Sequence, residues 1–315
     1  MNSFMKPQFL CVGFAKCGTT TLHEILKQHK DVKLPMIKEP FFYANYNYYK
    51  RGFQWYIRRY YGPNNAKNKL VGEINPLIES NFNAKRIYKD FGPNLKLIFI
   101  MRNPVDRLFS DFKMWLLWGA CFKNPQDNIL DENTFSKFLD QFFEYEQETD
   151  RLHLKKQHPL INRGLYYKHI ESYLKYFPRE NMKFIVFEEF IKDPKKSCEE
   201  IYEFLGLKKQ KGIDYTVKAN SGNRSPRNIY SIKFGHFWIN SCWKWITGNL
   251  PYISETVCNR IDKIYWKMFD LISKKDEKKY LMNDMLRKRL ENYYREDKER
   301  LEILLGRDLT DLWYE

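Results

Sequence analysis

No window of the 315-residue chain reaches the roughly twenty consecutive apolar residues of a membrane-spanning helix, and its opening residues, MNSFMKPQFL, hold no apolar leader core. A helical membrane anchor and a secretory leader are therefore not expected. Six cysteines (Cys11, Cys17, Cys121, Cys198, Cys242 and Cys258) are scattered without a CxxC pair, which argues against a disulfide framework or a zinc site and for reduced thiols in a cytoplasmic compartment. There is no zinc-finger spacing, RNP-like strand or helix-turn-helix pattern, so nothing but charge speaks for nucleic acid. Clustered magnesium ligands are also missing, and no metal is expected. His158 and His169, the histidines nearest the predicted core, lie in no motif and read as structural.

What the chain does have is positive charge. Lysine and arginine number 54 against 39 acidic residues, a net +15, which sets up a field attractive to a polyanion, an anionic nucleotide or an acidic membrane surface. The length suits one large α/β domain with a substantial core.

The organising stretch is Gln8 to Leu22, QFLCVGFAKCGTTTL. A short apolar run (Phe9 to Val12) passes through a glycine-bounded loop and enters an amphipathic segment at Thr19, an order that reads strand, loop, helix. Two glycines let the backbone turn tightly and aim its N–H groups inward, and the helix adds its positive end, so the element is built to hold a phosphate. The Gly13-x4-Gly18 spacing is that of a triphosphatase loop, GxxxxGK[ST], but position 19 is threonine and the loop's lysine is Lys16. That placement argues against a P-loop nucleotide kinase, the alternative enzyme class.

This arrangement resembles the 5′-phosphosulfate loop of sulfotransferases that use 3′-phosphoadenosine 5′-phosphosulfate (PAPS), in particular the heparan sulfate sulfotransferase-type domain. A second apolar run, Leu95 to Met101, is followed by Arg102-Asn103-Pro104-Val105-Asp106-Arg107-Leu108-Phe109-Ser110, which resembles the family's 3′-phosphate motif. The resemblance implies that Arg102 and Ser110 grip the nucleotide's 3′-phosphate. It implies a 5′-phosphosulfate site of Lys16, Cys17, Gly18, Thr19, Thr20 and Thr21, with Lys16 also catalytic and one threonine serving as the helix N-cap.

Lys38-Glu39-Pro40-Phe41-Phe42 resembles the family segment whose glutamate removes the acceptor's proton, which makes Glu39 the expected base. Pro40 holds the preceding residue out of helical geometry. Lys38, Phe41 and Phe42 are expected on the acceptor side. Further on, Glu73-Ile74-Asn75-Pro76 occupies the place of the family's E-K-x-P, so the family lysine is Ile74 here; Lys38 is the replacement cation, and Glu73 is the alternative base. A polar, basic loop, Tyr215 to Arg227, resembles a strap over the nucleotide, with Gly222 and Arg224 as its candidates.

The expected fold is a P-loop-like three-layer α/β sandwich, a central parallel sheet flanked by helices, forming a single sulfotransferase domain over residues 1–315. Residues 229–280, with Trp238, Trp243, Trp245 and Trp266 among lysines and arginines, are expected to form a helical insertion that caps the acceptor cleft or touches a membrane surface peripherally. The resemblance implies in-line transfer of a sulfuryl group from PAPS to a hydroxyl or amine, with a carbohydrate (polysaccharide or glycolipid) favoured over another small hydroxyl acceptor. Golgi members carry an N-terminal anchor; its absence from these opening residues suggests a soluble, cytoplasmic, prokaryotic-type enzyme. A non-catalytic nucleotide- or polyanion-binding protein is the remaining alternative.

Overall fold

Five parallel strands form the centre of the molecule. The computed structural model describes residues 6–35, 37–62, 69–76, 81–117, 121, 133–151, 159–217, 224–226, 260, 263–264, 267, 271, 273–275 and 282–314. β1 (Phe9–Gly13) is buried along its whole length, because both faces of a central parallel strand are covered by helices. Each fully buried Phe, Leu or Val there contributes about 1.5–3 kcal/mol relative to exposure. β2 (Val32–Lys33) and β3 (Leu70–Ile74) lie to one side of β1, and β4 (Lys96–Met101) and β5 (Met182–Val186) to the other, giving the order β2-β3-β1-β4-β5. Phe9 pairs opposite Gly72 on β3, where an added Cβ would come within 2.1 Å of the Phe9 ring, so this register requires glycine.

Helices α1 (Thr19–Lys27), α2 (Tyr46–Tyr49), α3 (Phe53–Tyr60), α4 (Asn81–Phe91) and α5 (Pro104–Leu117) alternate with the first four strands. α6 (Thr134–Arg151), α7 (Pro159–Asn162) and α8 (Tyr166–Leu174) precede β5, and α9 (Phe187–Lys192) and α10 (Pro194–Leu205) follow it. Among the described residues the chain then supplies α11 (Asp284–Leu305) and the short α12 (Thr310–Trp313). A second core, formed by Val105, Leu108 and Phe112 of α5, Phe135, Phe138 and Leu139 of α6, and Leu290 and Tyr294 of α11, seats α5 on the outer helices. Asp297 on α11 accepts from the N–H groups of Tyr167 (2.9 Å) and Lys168 (3.0 Å), capping the start of α8 from a distant helix.

The three-layer parallel fold is the expected one. The two-residue edge strand β2 was not expected, since so short a run carries no periodicity. Within 229–280, residues 260, 263–264, 267 and 271 are helical, but Ser273–Lys275 forms a strand, β7, antiparallel to β6 (Arg224–Pro226), in place of the expected helix. The four tryptophans of that segment lie outside the described residues.

Candidate active site

Connections leave β1 and β4 in opposite directions: β1 leads through α1 to β2, and β4 leads through α5 and the following helices to β5. Adjacent parallel strands whose connections diverge leave a crevice at their carboxyl ends, where ligands of such sheets bind. The two glycine- and arginine-bearing loops open into this crevice. Phe14 N–H donates to Ile100 O (2.8 Å), and one guanidinium nitrogen of Arg102 donates to Lys16 O at 3.4 Å.

In the first loop Lys16 has φ +69°, an uncommon conformation for a residue with a side chain. Its amine lies 3.6 Å from Met114 Sδ on α5. Burial pushes its pKa below the ordinary lysine value, opposed in part by the charges of Asp111 and Glu39. The N-cap of α1 is Gly18 at φ +84°, not a threonine. A Cβ at Gly18 would meet the Phe187 ring at 3.0 Å, so both conformation and space select glycine. Intrahelical bonding begins with Leu22 N–H to Gly18 O (3.1 Å), so no helix carbonyl is available to the N–H groups of Thr19, Thr20 and Thr21. Thr19 is buried, whereas Thr20 and Thr21 are half-buried at the crevice end of the helix.

Cys17 departs from the expected role. Its thiol is fully buried 3.8 Å from the Tyr166 hydroxyl, burial pushes its pKa up to about 12, and its N–H donates to Phe14 O at 3.3 Å. It is a core side chain within the loop.

In the second loop Arg102 lies over the Phe187 ring at 4.7 Å. Asn103 Oδ1 accepts from Val105 N–H (2.9 Å) and Asp106 N–H (3.3 Å), capping α5, with Pro104 at its first position. Ser110, two turns in, is half-buried. One turn below the loop, the fully buried Arg107 pairs with the equally buried Asp111 at 2.9 Å and donates to Leu160 O. Burial disfavours the Arg107 charge, but Asp111 outweighs it and holds the guanidinium above its ordinary pKa.

The acceptor-side segment reaches the same crevice. Lys38 Nζ donates to Thr20 Oγ1 at 3.0 Å and to Glu39 Oε1, and Glu39 has φ +57°. Phe41 is half-buried, but Phe42 is fully buried and stacked on Tyr56 at 4.5 Å, which makes it core rather than acceptor surface. Glu73 is likewise turned inward, with no exposed surface. Tyr61 (2.9 Å) and Tyr56 donate to its Oε2 and Asn75 Nδ2 (3.0 Å) to its Oε1, so three neighbours occupy the carboxylate that was the alternative base. Burial raises its pKa to about 7 despite these hydrogen bonds. Asn75 Nδ2 also donates to Pro40 O and thereby ties this node to the Glu39 loop. Ile74 is 1% exposed.

The third loop is only partly described. Gly222 lies outside the described residues; Arg224 belongs to β6, which runs beside α5. Among the described residues no helix is long and apolar enough to cross a membrane, and no three His, Cys, Asp or Glu side chains gather as a metal site would require.

Sequence reasoning missed several residues that build this site: Asn103, Arg107, Asp111, Tyr166, Glu188 and Trp313. Asn-Pro ahead of an apolar periodic run is a capping signal that would have found Asn103. The i,i+4 spacing of Arg107 and Asp111 is also visible, although not its burial. The remaining three carry no local signal.

A family model described as "Sulfotransferase domain" matches residues 6–233. Human heparan sulfate glucosamine 3-O-sulfotransferase 6 is 29% identical over 238 residues, covering 72% of this chain and 63% of the relative. A membrane-associated sulfotransferase of Dictyostelium discoideum, kil1, is 24% identical over 289 residues, covering 71% of this chain and 59% of that protein. This chain therefore spans about three fifths of these relatives. The crystal structure of a sulfotransferase from Alicyclobacillus acidocaldarius superposes with TM-score 0.62 at 25% identity, covering 99% of this chain and all of that one.

Proposed function

Since the chain belongs to the sulfotransferase domain family, we propose that it transfers a sulfuryl group from PAPS to a hydroxyl or amine of a carbohydrate, with Glu39 as the base. The observation that carries this reading is the meeting of three segments in one crevice. Arg102 reaches the Lys16 carbonyl, and Lys38 joins Thr20 at the start of α1 to Glu39. A nucleotide carrying phosphates at both its 5′ and 3′ ends fits this donor set of two cations, a helix N-terminus and the capped start of α5.

Bound there, PAPS supplies the sulfuryl group and a good leaving group, the nucleotide phosphate. Lys16 neutralises charge developing on the departing bridge oxygen, and the α1 amides with Thr20 and Thr21 hold the 5′ end. Arg102 and Ser110 bind the 3′-phosphate. Glu39 takes the acceptor's proton as its oxygen or nitrogen attacks. The carbohydrate acceptor is favoured by the net +15 of the chain and by the relative named for heparan sulfate glucosamine 3-O-sulfotransfer. A peripheral membrane contact through residues 229–280 is part of this reading, and one relative is named as membrane-associated.

A thermal-shift titration with 3′-phosphoadenosine 5′-phosphate, ADP and ATP-Mg²⁺ tests the donor half, because a ligand of the native state raises the midpoint with its affinity. The 3′-phosphorylated nucleotide is expected to stabilise most, and Arg102→Ala to abolish that preference; stronger stabilisation by ATP-Mg²⁺ would favour the kinase alternative. Transfer of radiolabelled sulfate from PAPS to an N-sulfated heparan backbone tests the acceptor half. Glu39→Gln is expected to keep nucleotide binding and lose transfer by about 100-fold or more; undiminished transfer removes Glu39 from the role of base.

A further inference from the structure

Arg102 is fixed by groups that come from far along the chain. The Tyr166 hydroxyl donates to Arg102 O at 2.7 Å and accepts from Arg102 N–H at 3.4 Å, while its oxygen also lies 3.8 Å from Cys17 Sγ in the first loop. One hydroxyl thus touches both phosphate loops. The next residue, Asn103, donates its N–H to Glu188 Oε1 at 2.9 Å, and its side-chain amide donates to Trp313 O. Glu188 closes the ring: its second oxygen accepts from Trp313 Nε1 at 3.0 Å. The Trp313 ring, 3% exposed, packs against Tyr166 with centroids 5.8 Å apart. Asn103 therefore has its N–H, both ends of its side-chain amide and its carbonyl engaged, the last by Arg107 N–H at 2.9 Å.

The hydrogen bonds of these groups run to other parts of the protein. Their shared effect is on Arg102 and on the first turn of α5, whose orientation they fix from α9, α8 and α12 at once. We propose that Glu188 and Trp313, acting with Tyr166, are positioning residues that set the affinity for the 3′-phosphate of the donor nucleotide. This rests on the donor reading given above. The physical reason is preorganisation: an arginine and a helix start already held in the binding geometry lose less freedom when the phosphate arrives. A mobile Arg102 loop would bind the 5′ end equally well and the 3′ end less tightly.

The test is calorimetric titration of the full chain with 3′-phosphoadenosine 5′-phosphate and with adenosine 5′-monophosphate, which lacks the 3′ group. Trp313→Phe keeps a ring against Tyr166 and removes the indole donor; Glu188→Gln keeps one accepting oxygen and loses the other. Each is expected to weaken the bisphosphate by about fivefold, the size of one hydrogen bond, while the monophosphate changes less than about twofold. A merely structural role would lower the melting temperature and weaken both nucleotides together. An unchanged ratio in either folded variant overturns the positioning role. A wild-type protein that shows no preference for the bisphosphate overturns the donor reading itself, and the positioning role with it.

Discussion

Replacing Glu73 with glutamine should stabilise the protein at high pH and leave it nearly unchanged in acid. Glu73 is fully buried, and its pKa rises from 4.5 to about 7 because burial penalises the charge by more than its three hydrogen bonds, which pull the pKa down, can offset. A folded pKa above the unfolded one means that the native state holds the proton more tightly. The stabilisation is complete below the unfolded value of 4.5 and is lost as pH rises through about 7. With about 1.4 kcal/mol per pKa unit, the loss approaches about 3 kcal/mol at pH 8.

Glutamine has the same shape and never takes the charge. Its amide nitrogen would face the hydroxyls of Tyr56 and Tyr61, which lie 3.1 Å apart and can turn so that one accepts from it. The variant should therefore forgo the pH-dependent loss at the expense of at most one good hydrogen bond. The assay is urea unfolding of both proteins at half-unit steps from pH 4.5 to 8.5. The difference in unfolding free energy should grow across the window from 4.5 to about 7. Asp297, raised to about 6 by burial, titrates in both proteins and cancels from the difference. Two parallel curves would show that Glu73 is not held near neutrality and would refute the reasoning.

Lys16 carries a depressed pKa through burial, so affinity for 3′-phosphoadenosine 5′-phosphate should fall with rising pH before an ordinary lysine near 10.5 would lose its proton; Lys16→Arg should flatten that limb in calorimetric titrations. Asp111→Asn leaves the buried Arg107 guanidinium without its countercharge and should cost about 3–5 kcal/mol in urea unfolding, whereas an effect below about 1 kcal/mol would mean water reaches the pair. Gly18→Ala places a methyl group 3.0 Å from the Phe187 ring at a left-handed φ and should destabilise by about 1–2 kcal/mol, with a larger loss of nucleotide affinity than of stability.

The legible parts of this molecule are those written in short-range chemistry. Gly13-x4-Gly18 between an apolar run and an amphipathic segment yields a strand, a tight loop and a helix start, and Arg102-Asn103-Pro104 yields a strand end followed by a capped helix. Strand order could not be read in that way, yet two loops that each follow a strand are enough to expect them on one edge of a parallel sheet. The acceptor side misled because burial is a property of partners. Phe42 and Glu73 sit beside motif residues, but α3, contributing Tyr56 and followed by Tyr61, covers both of them. Tyr166 lies 64 residues from Arg102, and Trp313 lies 210 residues from Asn103, so no window of sequence relates them.

The two halves of the crevice are held by different means, and this bears on how the acceptor enters. On the donor side, buried side-chain bonds fix the backbone around Arg102, and breaking any of them strands a polar group. On the acceptor side, Glu39 is held at a left-handed φ by its neighbours, through Asn75 to Pro40 O, while its carboxylate rests on Lys38 in a pair of which each side chain is about 28% exposed. A partly exposed ion pair contributes little net stability, so it yields readily to a better partner. The buried Ile74 offers no cation to an acceptor. On the proposed reading, Lys38 is the residue of the pair able to meet an acceptor's negative charge, and turning toward that charge would free Glu39, the proposed base, for the acceptor's proton. If Glu39 is the base proposed above, an anionic acceptor would release it from Lys38, whereas a neutral one would leave the pair closed.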